Sequence, residues 1–186
     1  HEKGAFTGAT ERKIGKFEAS GDGTILFDEI GDMNIALQAK LLRVLQDFVF
    51  YRVGGRQKIR VNCRIISASN RNMEELVGKK EFREDLYHRL NGATLHIPSL
   101  RERKEDIEDL AHFFLDYFVE KYNAGVKGYA DQTMEIFKTY SWPGNIREFK
   151  NCIERSVVVC DEAYVQPYHL PDSVHKRSGH EGVHYA

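Results

Sequence analysis

Thr24-Ile25-Leu26-Phe27-Asp28-Glu29 is the stretch that decides the fold. It is a continuous apolar run that ends in two carboxylates. Such a run suits a strand buried on both faces, as in a parallel sheet. Downstream, an amphipathic helix starts near Asp32 or Asn34, with Leu37, Leu41, Leu42, Leu45 and Phe48 as its stripe. The segments 48–53 and 56–61 flank Gly54-Gly55 and predict a hairpin whose tight turn needs φ > 0 at both glycines. Arg64-Ile65-Ile66-Ser67-Ala68-Ser69 reads as a second buried strand, ending at Asn70. A helix is expected over 72–91. Leu95-His96-Ile97 reads as a short strand stopped by Pro98. Residues 1–98 therefore alternate strands and helices, the pattern of an α/β fold.

Residues 99–171 read as mostly helical. Ile107, Leu110, Ala111, Phe114, Leu115 and Phe118 fall at helical spacing. Pro143-Gly144 breaks the chain. Asn145, with Glu148 three residues on, resembles a capping box, and Ile146, Phe149, Ile153 and Val157 supply the apolar face behind it. From 172 to 186 the chain is polar and patternless, which predicts a linker or tail. His169, His175, His180 and His184 fall late and irregularly, a spacing that suits a solvated tail better than a metal site.

The chain has 186 residues, 41% of them hydrophobic and 30% charged, with a net charge of −1. That is the composition of a soluble globular protein. It provides no global basic field to draw the chain onto nucleic acid or an anionic membrane. Cys63, Cys152 and Cys160 are odd in number and lack metal or CxxC spacing, which predicts a reducing, cytoplasmic setting. No apolar run approaches ~20 residues, so no membrane partner is expected. His1-Glu2-Lys3 runs straight into a motif without an initiator Met and reads as part of a longer protein.

That motif is Gly4-Ala5-Phe6-Thr7-Gly8-Ala9. A surface turn has little reason to expose a Phe between two glycines. All six residues match the loop motif of bacterial sigma-54-dependent transcription activators, and the chain resembles most of the AAA+ ATPase domain of that family. The match continues through Arg12, Gly15 and Phe17-Glu18-Ala19. The resemblance implies a three-layer αβα parallel sheet followed by a small helical lid. It also implies ATP and Mg²⁺ as cofactors. The partners it implies are sigma-54 and its RNA polymerase, a ring of identical subunits, and enhancer DNA bound through a domain outside this chain. A receiver domain of a two-component system is typical of the family.

The residue roles implied are as follows. Gly4 to Ala9 contact sigma-54. Thr24 to Glu29 form a Walker B element, in which Asp28 holds Mg²⁺ and Glu29 orients or deprotonates the attacking water. Asn70, preceded by Ser69, is the sensor of the γ-phosphate, although Asn after a strand is also an ordinary turn former. Within 82–90, Arg83 and Arg89 are arginine fingers acting on a neighbouring subunit. The alternative at Arg89 is a simple i,i+4 pair with Asp85. Arg147, in Trp142-Pro143-Gly144-Asn145-Ile146-Arg147-Glu148, sits in the first turn of a helix, where the dipole does not favour a cation. The γ-phosphate or a local acid such as Glu148 would serve as its counterion.

No G-x-x-x-x-G-K-[ST] phosphate loop occurs in these residues. The resemblance places that loop upstream, on a central strand between those ending at Asn70 and containing His96. The front half is accordingly expected to leave strand edges bare and to fold poorly alone. Two other functions stay open: an interaction module that grips sigma-54 without nucleotide, and another AAA+ remodelling machine.

Overall fold

The computed structural model describes residues 1–175 and divides the chain into two units, His1–Leu95 and His96–Ala186. In the first unit a short helix, α1 (Lys16–Ala19), leads into β1 (Thr24–Phe27). β1 pairs in parallel with β4 (Arg64–Ser67), Ile25 opposite Ile65 and Leu26 opposite Ile66. Between them run α2 (Ile35–Asp47), β2 (Val49–Tyr51) and β3 (Lys58–Arg60), and after them α3 (Met73–Gly78) and α4 (Glu84–Leu90). Parallel neighbours joined by a long crossover are the α/β arrangement that the apolar run at 24–27 predicts.

One face of this sheet is covered and the other is not. Phe27 and Ile65 pack onto a core of Ile30, Leu41, Leu42, Leu45, Leu76, Phe82 and Leu86, contributed mostly by α2, α3 and α4. Leu26 and Ile66 point the opposite way and are 59% and 44% exposed. Burial on both faces is therefore corrected to burial on one. Successive side chains alternate between faces, and among the described residues only one face meets helices. Each bare large side chain forgoes ~1.5–3 kcal/mol of burial.

Local chemistry sets the helix ends. Asn34 caps α2 by accepting the Ala36 amide at 2.8 Å, and Asn72 caps α3 by accepting those of Glu74 and Glu75. The buried stripe of α2 is Gln38, Leu41, Leu42 and Leu45, while Leu37 and Phe48 are about half exposed. The single helix expected over 72–91 is two. α3 ends at Gly78, Lys80 turns left-handed (φ +59°), and the Glu81 amide folds back onto the Leu76 carbonyl.

The hairpin forms, with Phe50 opposite Ile59, but its turn differs from expectation. Only Gly54 has positive φ (+77°), and the Gly55 amide donates to the Arg52 carbonyl. That is a four-residue turn with glycine at its third position, as type II geometry requires. The segment 95–97 forms no strand. Leu95 and Ile97 are 85% and 72% exposed, and no described strand pairs with them. Extended backbone becomes a strand only by pairing.

The second unit packs α5 (Asp106–Tyr122), α6 (Asp131–Thr139) and α7 (Asn145–Val159) around one core. Ile107, Ala111, Phe114, Leu115 and Phe118 are buried as the α5 periodicity predicts. Trp142 anchors an aromatic cluster with Phe137, Tyr140 and Phe149, its indole N–H donating to the Phe137 carbonyl at 2.8 Å. A two-residue parallel pair, β5 (Gly128–Tyr129) and β6 (Tyr164–Val165), is too short to leave a periodic signal. The tail expected from 172 opens instead as α8 (Asp172–His175), whose Val174 is buried in the core. The rest of that stretch, with His180 and His184, lies outside the described residues. No helix among the described residues is long and apolar enough to cross a membrane.

Candidate functional site

The C-terminal ends of β1 and β4 are stitched together just past the sheet. Ala68 donates to the Phe27 carbonyl at 2.8 Å, and Ile30 donates to the Ala68 carbonyl at 2.9 Å. The turn carrying Asp28 and Glu29 is thereby held against the segment leading to Asn70. Gly31 fits there because it lacks a side chain: a Cβ would stand 2.7 Å from the Ser69 hydroxyl. Asp28, Glu29 and Asn70 are all exposed. One Asp28 oxygen accepts the Glu29 amide at 3.0 Å. Glu29 is left-handed (φ +52°), a conformation that costs a non-glycine residue roughly 1–2 kcal/mol. Strain of this kind clusters at functional sites. The sheet end thus gathers two carboxylates and an amide facing solvent.

The two arginines of 82–90 are placed differently. Arg83 precedes α4 and is exposed. Its guanidinium forks onto Asp85, Nε to Oδ1 at 3.0 Å and Nη2 to Oδ2 at 2.7 Å. That pairing holds the Asp85 carboxyl below its usual range and raises Arg83. Arg89 does not pair with Asp85. Its Nε and Nη2 donate to the Leu45 carbonyl at 3.1 and 2.8 Å, closing the end of α2, and its guanidinium lies 5.4 Å from the Phe48 ring. Two of its donors bond its own chain, which separates it from Arg83.

The Gly4–Ala9 loop is closed at its base. Gly4 donates to the Ala9 carbonyl at 2.8 Å and Ala9 to that of Phe6 at 2.9 Å. Gly4 and Gly8 have φ of +78° and +97°, which only glycine takes freely. Phe6 and Thr7 are exposed, Phe6 beside the His1 ring. Ala9 is buried, and Ala5 sits where a Cβ on Gly54 would come within 2.8 Å of its own. Gly4, Phe6, Thr7 and Gly8 are exposed, while Ala9 lies in the foundation of the loop.

That foundation contains a residue the sequence reasoning missed. Arg52, whose side chain is 6% exposed, donates Nε to Glu18 at 2.9 Å and Nη1 to Glu2 at 2.8 Å, with a second bond to Glu18. These bonds hold Glu18 below its usual range and raise Arg52. The signal available was an Arg within the otherwise apolar segment 48–53, one residue short of the hairpin glycines.

Arg147, in the second unit, is exposed and has no hydrogen-bond or ion-pair partner among the described residues. Glu148 is not its counterion, because its carboxylate accepts the Gly144 amide at 2.8 Å and the Tyr140 hydroxyl at 3.3 Å. The expected capping box is redrawn: Glu148 reaches back to Gly144, and Asn145 accepts the Leu100 amide at 2.9 Å.

His169 is buried, not part of a solvated tail. With Asp161 and Glu162 it brings ligand-type atoms within 4.8 Å of one another. Its Nδ1 accepts the Gln166 amide at 3.0 Å, so a neutral ring carries its proton on Nε2, 3.8 Å from Asp161. A ring in that state offers a metal no lone pair.

Comparison with known proteins adds to this geometry. Residues 1–96 match the family described as "Sigma-54 interaction domain", and residues 101–185 match "AAA+ ATPase lid domain". The alginate biosynthesis transcriptional regulatory protein AlgB of Pseudomonas putida is 46% identical over 170 residues, 91% of this chain and 38% of the relative. The nitrogen fixation protein VnfA of Azotobacter vinelandii is 45% identical over 174 residues, 94% of this chain and 33% of the relative. Among solved structures, NtrX from Brucella abortus in complex with ATP superposes with a TM-score of 0.83 at 36% identity. That match covers 90% of this chain and 40% of NtrX. The chain thus spans two-fifths or less of the length of these relatives.

Proposed function

Because the chain belongs to the sigma-54 interaction domain family, with an AAA+ lid behind it, we propose that it is the working part of an ATP-driven transcription activator. In this reading a ring of subunits hydrolyses ATP and uses the Phe6–Thr7 tip to remodel sigma-54 RNA polymerase. Enhancer DNA is bound by another part of the protein, and the ring works in the cytoplasm. The observation that carries the reading is the meeting of Asp28, Glu29 and Asn70 at one end of paired parallel strands, where open α/β sheets bind ligands.

The roles are those the resemblance implies, and the placement supports them. Asp28 is the ligand for Mg²⁺, and its carboxylate suits a hard cation that prefers oxygen. The cation would supply charge against that of the phosphates. Glu29, strained and solvent-facing, orients or deprotonates the attacking water. Asn70 faces the γ-phosphate from the neighbouring strand end. Arg83 reaches the nucleotide of the next subunit, where a finger offsets charge developing on the transferred phosphoryl group. Arg89 is assigned with it by resemblance, although its bonds to Leu45 make its contribution partly structural. Arg147, unpaired among the described residues, is assigned to the γ-phosphate by resemblance.

The second reading is an interaction module without catalysis. It is favoured by the loop, whose tip, glycine hinges and Arg52 foundation all come from this chain. The experiment that separates the two is Glu29→Gln in the full-length protein. An ATPase that keeps nucleotide binding and loses most turnover supports the first reading; turnover at the wild-type rate removes the catalytic assignment.

A further inference from the structure

We propose that Gln38 is a positioning residue for the Arg83 finger, tying its backbone to the segment that follows the Asp28-Glu29 carboxylates. The inference rests on the finger reading given above. Gln38 lies in α2 and is completely buried. A buried amide is costly unless its groups are paired, and here they are. Its Nε2 donates to the Met33 carbonyl at 2.7 Å and the Glu81 carbonyl at 3.0 Å. Its Oε1 accepts the Arg83 amide at 2.8 Å. Both donors and the acceptor are used, and with two carbonyls on one side and an N–H on the other, the amide has only one orientation.

The partners are the informative part. Met33 lies four residues past Glu29, on the turn stitched to the Asn70 segment. Glu81 and Arg83 flank Phe82, which is 2% exposed and locked in the core. All three partners are backbone groups, so Gln38 reads no side chain; it fixes the path of the chain from which the Arg83 side chain springs. A second tie runs beside it. Arg71, next after Asn70, donates Nη1 to Asp32 at 3.2 Å and Nη2 to Glu81 at 3.0 Å. That pair is roughly half exposed and worth little. The Gln38 side chain is fully buried, and its bonds are less open to solvent than that pair. The finger segment is thereby referenced to the same turn that carries Glu29, chiefly through the Gln38 side chain.

The test is made in the full-length protein with Gln38→Met, which keeps volume and removes all three bonds, and Arg83→Ala, alone and together. Misplacing a catalytic group by about 1 Å costs of order 100-fold. Gln38→Met is therefore expected to lower kcat about 10- to 100-fold, leaving KM and ring assembly near wild type. Arg83→Ala should lower kcat more, by about 10³- to 10⁵-fold. The double variant should be no slower than Arg83→Ala alone, because Gln38 acts through Arg83. In Gln38→Met the Arg83 amide should lose exchange protection, while the Tyr87 amide, bonded to the Arg83 carbonyl, keeps it.

Losses that multiply in the double variant, or wild-type turnover in Gln38→Met beside a crippled Arg83→Ala, would overturn the role of Gln38 and leave the finger standing. Wild-type turnover in Arg83→Ala would remove the finger reading and this inference with it. If Gln38→Met does not fold, Gln38→Glu supplies the same cycle: a buried carboxyl takes up a proton and retains one donated bond. Failure of both variants to fold or assemble would make Gln38 a residue of the fold alone.

Discussion

Arg52 and Glu18 meet at the base of the Phe6–Thr7 loop, from the hairpin and from α1, with the Arg52 Nε 2.9 Å from a Glu18 oxygen. The arginine side chain is nearly buried and also holds Glu2. Glu18 titrates below its ordinary value of 4.5 because Arg52 donates to its ionised form. A carboxylate whose folded value is depressed adds stability above its ordinary value. That stability is lost as the pH falls through the lowered one. The loop base should therefore be firm at neutral pH and loosen only below pH 4.5. An NMR titration of the Glu18 carboxyl, followed with the Gly4 and Ala9 amides, checks this. In Arg52→Ala the midpoint should return toward 4.5 and the loop amides should lose protection at neutral pH. An ordinary midpoint in the wild type would contradict the clamp.

Arg83 and Arg89 should fail differently. Arg83→Ala is expected to leave thermal stability within about 0.5 kcal/mol, as for an exposed side chain, and to abolish turnover in homogeneous rings. Mixing it with a Glu29→Gln subunit should restore some activity, because an intact finger then faces an intact carboxylate at some interfaces. Arg89→Ala should also destabilise the first unit by ~1–3 kcal/mol, since the Leu45 carbonyl loses a charged donor. Thermal denaturation of both variants, with ATPase assays of the mixtures, decides. No rescue in rings verified as mixed would exclude action across subunits.

The two units should also differ in firmness when residues 1–186 are studied alone. The second has a large aromatic core, while the sheet of the first leaves Leu26 and Ile66 bare. Hydrogen exchange should find the amides of 149–157 protected and those of 24–29 and 64–69 poorly protected. A monomer with one cooperative transition and firm protection in both strands would overturn this expectation.

The α/β pattern, the parallel strand ends and the α5 stripe were legible because each has a period or an abrupt change from apolar to charged. Candidate site residues stood out where a short motif carries them, as at Gly4–Ala9 and Asp28-Glu29. What escaped depends on tertiary partners. Gln38 interrupts an apolar stripe, and two of its three bonds span more than forty residues, to Glu81 and Arg83. The break between α3 and α4 needed Lys80 to turn left-handed, which no spacing announces. Leu37 looked like core because helical periodicity cannot say how wide the covered face is. Leu95 and Ile97 looked like a strand because composition does not reveal whether a partner is there to pair with.

In the proposed function, hydrolysis and sigma-54 remodelling are separate jobs of one chain, the first at the sheet end and the second at the loop tip. The direct measurement is ATPase activity and open-complex formation at a sigma-54 promoter, side by side, for Phe6→Ala and Thr7→Ala in the full-length protein. Both side chains are exposed, and neither is bonded to Asp28, Glu29 or Asn70, so each variant should keep turnover near wild type. Open-complex formation should be lost. Parallel loss of ATPase and activation would place the loop in the catalytic machinery, and full activation with an altered tip would remove it from the sigma-54 contact.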